Sequence, residues 1–275
     1  MRRPALRSAL RRPTIALGTA VALAWLVVIV TVQWWAPYDQ FDAVGNRLES
    51  PSWQHWLGTD ALSRDVFTRV LYGARQTLPT SVAVIASAVL IGTVLGALAG
   101  YVGGWVDAVV MRMVDITLAF PPIFLAMAVA AALGPGLRNA FVAMVIVWWP
   151  LYARLLRGQV LSVKQRDHIA AAVSIGATPL RIVRKHVVPL AFTPALVNAT
   201  LDLGQVVILT ATLSFLGLGA KPPAPEWGAM ITEGAKFFYQ WWIAVAPGVA
   251  ILTVGLAFNF LGDGLRDVFD VRERR

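Results

Sequence analysis

The chain alternates long apolar stretches with short charged ones. Counted between successive charged residues, uncharged runs cover residues 13–38 (26 residues), 76–106 (31), 116–137 (22) and 237–262 (26). A bilayer's hydrocarbon core is about 30 Å thick and a helix rises about 1.5 Å per residue, so about 20 apolar residues cross it. These four runs predict four transmembrane helices. Residues 139–153 make a shorter run of 15, but Arg154 and Arg157 follow it, and long basic side chains snorkel from helix ends. That predicts another span. From His186 to Ala220 the only acid or Lys/Arg is Asp202, which leaves room for a span from Pro194 to Phe215. The expectation is an all-α membrane protein with six transmembrane helices.

Composition agrees. The chain is 57% hydrophobic and 14% charged, with mean hydropathy +0.65, against about 25% charged residues in soluble domains. A soluble fold with so little charge would expose large apolar patches and aggregate. The first run follows Arg2, Arg3, Arg7, Arg11 and Arg12, as a signal peptide's would. Its apolar core, Thr14 to Val32, is longer than the usual h-region of about 7–15 residues. It ends in Gln33-Trp34-Trp35, which suits a membrane interface better than a cleavage site, so an uncleaved first helix is expected.

The net charge of +9 invites a nucleic-acid partner until the basic residues are placed. With the N-terminus cytoplasmic, the inside segments hold 17 Lys and Arg: five in the N-terminal tail, Arg112, seven between Arg154 and Lys185, and four from Arg266 onward. The outside segments hold 7. The positive-inside rule accounts for this bias, so no nucleic acid is implied, and both termini are expected to be cytoplasmic. With no Cys, disulfides, thiolate metal sites and cysteine nucleophiles are excluded.

Four regions result: a tail and first helix (1–35), an extracytoplasmic segment (36–77), a five-helix core (78–265) containing a cytoplasmic loop (154–189), and a second tail (266–275). In the extracytoplasmic segment, Val66, Phe67, Val70 and Leu71 recur at helical spacing between Ser63 and Leu78. They predict a surface amphipathic helix with solvated charges and Asp60 as its cap. In the cytoplasmic loop, His168 to Ile175 reads as a short helix, Gly176 as a turn, and Leu180 to Val188 as a second helix ending before Pro189. Such a basic helix-break-helix knob fits either lipid headgroups or a soluble partner. In the second span, Gly92, Gly96 and Gly100 repeat every four residues, a pattern of close helix packing.

Several motifs then coincide in order. His168-Ile-Ala-Ala-Ala-Val-Ser-Ile-Gly176, continuing to Arg184-Lys-His186-Val-Val-Pro189, resembles the EAA loop of ABC importer permeases. Leu57-Gly-Thr-Asp60, Ser63-Arg-Asp65, Gly73-Ala-Arg75, Ala119-Phe-Pro-Pro122, Leu213-Ser-Phe-Leu-Gly-Leu-Gly219, Pro225-Glu-Trp-Gly228 and Phe258-Asn-Phe-Leu-Gly-Asp-Gly264 resemble the C-type permeases of dipeptide, oligopeptide and nickel uptake. Two positions depart from that family: Ala170 replaces the acid that opens the EAA pattern, with Asp167 three residues earlier, and Thr210 stands where an acid often precedes the LSFLGLG segment.

The resemblance implies the type I ABC importer permease fold, a non-catalytic subunit, and uptake of peptides or, alternatively, of nickel or another metal chelate. It also implies a heterodimer with a second permease, two cytoplasmic ATPases that hydrolyse ATP with Mg, an extracytoplasmic binding protein, and a bacterial inner-membrane location. No cofactor or metal is expected on this chain, and it contains no G-x-x-x-x-G-K-[ST] phosphate loop. The implied coupling-loop residues are Asp167, His168, Ala170, Ala171, Gly176, Arg181, Arg184, His186 and Pro189. The residues themselves suggest two further sites. Asn198, Asp202 and Gln205 share one helix face and either line the path or pack against the partner. Pro225, Glu226, Trp227 and Gly228, after Pro222 and Pro223, make a stiff outside loop with an exposed aromatic, either a binding-protein contact or an interfacial anchor. Rival readings are a secondary transporter coupled through Asp202, for which no internal repeat is seen, and an intramembrane hydrolase pairing Asp115 with Asp202 or Asp263, for which no H-E-x-x-H is present.

Overall fold

The computed structural model describes residues 13–167, 169, 174, 176–183, 185 and 188–273. Its helices are α1 (Pro13–Trp35), α2 (Val66–Val102), α3 (Gly104–Leu118), α4 (Pro122–Leu133), α5 (Leu137–Lys164), α6 (Pro179–Ile182), α7 (Val188–Phe215), α8 (Trp227–Gly234) and α9 (Trp242–Glu273). Among the described residues, extended pairing is confined to a single antiparallel bridge, Thr59 to Asp65. Five helices are long and apolar enough to cross a membrane: α1, α2, α5, the Pro194–Phe215 part of α7 and the Trp242–Asp267 part of α9.

The remaining expected span is not one straight helix. Its apolar run is divided between α3 and α4, which are inclined by 97° across a break of a few residues. Pro121 and Pro122 lie at that break. A proline disfavours helical backbone in the residue before it and lacks the N–H that would continue the ladder, yet Pro122 is well suited to the first turn of α4.

The amphipathic helix expected before the second span is also redrawn. It is the beginning of α2, whose 37 residues correspond to about 55 Å at the usual rise, well beyond the hydrocarbon thickness. The boundary expected at residue 77 therefore falls inside one helix. Its cap is Asp65, whose carboxylate accepts from the Thr68 amide at 2.7 Å. Asp60 serves elsewhere.

Arg75 is exposed as expected, but the charges around the start of α2 are buried, not solvated. Asp60 accepts from the Arg64 guanidinium at 2.7 Å and pairs with Arg69 at 3.3 Å, while Arg64 reaches Glu233 of α8 at 3.0 Å. His55 meets Asp65 at 3.0 Å. His55, Asp60, Arg64, Asp65 and Arg69 are each at most 3% exposed. Trp227 and Trp242 close the cap, donating from their indole nitrogens to the carbonyls of Val70 and Thr59. The segment 36–65 is thus bolted to α2, α8 and α9, and it marks one end of the bundle, the cap end. Ile169 and Ile182, packed on α2 and α5, mark the other, the loop end.

Between these ends the closest helix contact is α2 against α5. A Cβ on Gly92 would lie 2.5 Å from Tyr152 Cβ, one on Gly100 2.8 Å from Val160 Cβ, and one on Gly96 would collide with the Ala153 carbonyl. The glycine repeat removes side chains where the two backbones meet. Elsewhere, α1 lies on α9 with Gly18 against the Ala257 carbonyl, and Gly204 of α7 faces Gly255 of α9.

Three measurements check this packing. Gly96→Ile should cost about 3 kcal/mol or more through backbone overlap, whereas Gly158→Ala, at a helical glycine with open space around it, should leave thermal stability unchanged or raise it. Arg64→Met removes one of the two arginines paired with buried Asp60 and the 3.0 Å partner of Glu233 and should cost about 3 kcal/mol, read in the same melting assay. Burial pushes the Glu226 carboxyl above its usual range, against hydrogen bonds that favour the charged form. The raised value means that the folded state holds this proton more tightly than the unfolded chain. Stability from this group is present at low pH and lost as pH rises through the raised value. Glu226→Gln should flatten that part of the melting-temperature profile.

Candidate functional site

The three regions singled out by sequence take different positions. Near the middle of α7, Asp202 is half-buried while Asn198 and Gln205 are exposed, all on the expected face. Asp202 Oδ2 accepts a hydrogen bond from the Tyr152 hydroxyl of α5 at 2.7 Å. Tyr152 is 1% exposed, and its Cβ lies on Gly92, so the glycine contact that joins α2 to α5 also fixes the phenol. Sequence reasoning missed Tyr152. The available signal was a tyrosine in an apolar run, whose buried hydroxyl requires a partner, facing a helix with one mid-span acid.

Thr210, where the family often carries an acid, is buried one turn from Val206, and its Oγ1 has no hydrogen-bond partner among the described residues. Asp115 does not approach a second carboxylate in a dyad. It pairs with Arg154, and Asp107 accepts from Arg157, whose Nε and a terminal nitrogen lie at 2.5 and 2.6 Å. Arg154 and Arg157 therefore hold α3, and α5 continues past both to Lys164, so they do not stand at its end as expected.

In the loop, His168, Ala170, Ala171, Arg184 and His186 lie outside the described residues. Asp167 is helical and exposed, and Arg181 is exposed in α6. Gly176 has φ +82° with open space around its Cβ position, so a left-handed turn, and not packing, demands glycine. Of the second expected helix, α6 is described to Ile182, and Pro189 is helical, within α7. Two residues not singled out by sequence anchor the loop: Ile169 and Ile182 bury against Ala97 of α2 and Val160 and Val163 of α5. These two residues therefore seat this part of the loop on one end of the α2–α5 pair.

The outside loop corrects an expectation. Pro225, Glu226, Trp227 and Gly228 are all buried, and Trp227 and Glu226 have no exposed surface. Trp227 packs edge-on against Trp25 of α1 with ring centres 5.1 Å apart, and its ring fills the space left by Gly73 of α2. Glu226 caps α8, accepting from the Ala229 amide at 2.9 Å. Within this chain the segment is a structural tie between α1, α2 and α8 and presents no face to a partner. The composition of the segment reads equally as a rigid exposed loop; only the pairing of Gly73 with Trp227 distinguishes the two.

Among the described residues, no group of three or more His, Asp or Glu side chains is gathered to hold a metal ion.

Comparison with known proteins gives a consistent family. Residues 92–275 match the binding-protein-dependent transport system inner membrane component. The chain is 42% identical over 261 residues (94% of this chain, 87% of the relative) to the probable D,D-dipeptide transport system permease protein DdpC of Escherichia coli K12. It is 45% identical over 265 residues (94% and 87%) to the glutathione transport system permease protein GsiD of Escherichia coli O157:H7. Its fold resembles an inward-facing crystal form of the MetNI methionine ABC transporter, with TM-score 0.58 and 25% identity, covering 73% of this chain and 96% of that one. The chain belongs to the binding-protein-dependent transport inner membrane component family: it is a multi-pass inner-membrane permease, a non-catalytic subunit of an ATP-driven ABC importer that works with ATPase and substrate-binding partners.

Proposed function

We propose that this permease imports peptides, pairing with a second, related permease to enclose the path. The observation that carries the reading is identity of 42% and 45% over 94% of the chain to permeases named for D,D-dipeptide and glutathione transport. Two cytoplasmic ATPases drive the cycle with ATP and Mg, and the loop end of the bundle is their seat. The cap end then faces the binding protein, and both termini are cytoplasmic. The distribution of Lys and Arg supports this orientation, being concentrated between Arg154 and Lys185 and in the two tails.

The coupling loop comprises Asp167, His168, Ala170, Ala171, Gly176, Arg181, Arg184, His186 and Pro189. Support comes from the burial of Ile169 and Ile182 against α2 and α5, because a force applied to exposed Asp167 or Arg181 is delivered to two packed membrane helices. Rigid-body movement of those helices follows from close packing. The path side of the chain is the α7 face carrying Asn198, Asp202 and Gln205. A polar stripe on an otherwise apolar helix is costly against lipid and stable against a cavity or partner.

Uptake of a labelled dipeptide by proteoliposomes holding the complete importer tests the reading. ATP-dependent dipeptide uptake is expected, with no ATP-dependent uptake of nickel; the reverse pattern would overturn the peptide assignment. In the same vesicles, Gly176→Val should lower peptide uptake about tenfold or more while ATP hydrolysis persists, since a left-handed turn strains any β-branched residue. Normal uptake by that variant would remove Gly176 from the coupling mechanism.

A further inference from the structure

We infer that Asp202, held by Tyr152, is a mid-membrane subsite for the ammonium group of the transported solute; this rests on the peptide reading above and names the group recognised. Asp202 lies in the central part of the Pro194–Phe215 span and is only half-buried by this chain. Its Oδ2 receives the Tyr152 hydroxyl at 2.7 Å. A phenol supplies one neutral donor and no compensating charge. The nearest basic residues on the same helix as Tyr152 are engaged elsewhere, Arg154 by Asp115 and Arg157 by Asp107.

A carboxylate at membrane depth is stable only with a counter-charge, a proton or water. Every other acid–base pair described in this bundle, such as Asp60 with Arg64, brings its cation from the chain itself. Asp202 is half-buried, on a face of α7 that this chain leaves partly uncovered. Asn198 and Gln205 flank it there, exposed, and their amides both donate and accept, as a peptide backbone requires. The arrangement suits a peptide's terminal ammonium, which bonds to the carboxylate while the amides take the adjoining peptide group. Tyr152 is the positioning residue: the close fit of its Cβ to Gly92 holds the phenol, and the phenol holds one oxygen so that the other faces the solute.

The test compares alanyl-alanine with propionyl-alanine, which differ only by the ammonium group, in proteoliposomes holding the complete importer. Each probe is supplied at a concentration that saturates the binding protein, as established by calorimetry. Wild type should prefer alanyl-alanine, and D202N should lower that preference about tenfold, the effect of losing a hydrogen bond to a charged group. D202E should retain it. Y152F should lower the preference by a smaller factor. Equal loss for both probes in D202N assigns Asp202 to packing against the second permease and overturns the inference, as does no loss for either. Should D202N fail to assemble, an unchanged preference in Y152F overturns it. A wild-type importer that takes up neither probe overturns the peptide reading itself and this inference with it, whereas failure confined to the variants leaves the peptide reading intact.

Discussion

The structure depends on the backbone contact between α2 and α5. Three glycines one turn apart, Gly92, Gly96 and Gly100, admit Tyr152, Ala153 and Val160 to distances that no side chain would permit. Within lipid, helices gain nothing from hiding apolar surface, and close van der Waals fit is what remains to hold them together. The pair then carries three unlike tasks along its length. Its outer part, the first turns of α2, is locked into the cap by Asp60, Arg69 and Trp227. Its middle fixes Tyr152 against Asp202. Its opposite end receives Ile169 and Ile182.

Charges follow a consistent logic of depth. At the cap end, four ionised groups, Asp60, Arg64, Arg69 and Glu233, are gathered into one network in which each finds an opposite partner. Nearer the loop end, Arg154 and Arg157 reach from α5 to the acids of α3. Breaking a pair in the buried cap network leaves a desolvated charge, so those contacts specify where helices meet more than they add net stability. Asp202 and Glu226 both have neutral partners, Tyr152 and the Ala229 amide, but Glu226 is fully buried whereas Asp202 is only half-buried within this chain.

Much of this was legible from the residues alone. Charge-free runs located the spans because hydrocarbon thickness imposes a length that few other constraints share. The glycine repeat was readable as packing, and Gly176 as a turn, because each reflects a local requirement. What escaped the sequence was set by tertiary contact. The fusion of the amphipathic segment with the second span depends on the absence of any break at Pro79, which α2 accommodates. The inclination of α3 to α4 was encoded in Pro121 and Pro122, but the uncharged run of 22 residues masked it. Trp227 looked like an exposed aromatic because its burial requires Gly73 on another helix. Asp202 was visible as a costly charge, whereas its partner Tyr152 was one aromatic among many until the two helices were brought together.

The central claim is that α2 and α5 move as one body, carrying the coupling loop with them. Because the chain contains no Cys, paired spin labels can be introduced at Leu98 on α2 and Leu161 on α5, both exposed. Electron–electron distance measurements would be made on the complete importer, nucleotide-free and trapped with ATP. The separation should stay the same in both states, while a label pair from Leu161 to a site on the partner permease should change. A Leu98–Leu161 distance that shifts with nucleotide would contradict a rigid glycine-packed pair as the element that links ATP hydrolysis to the membrane path.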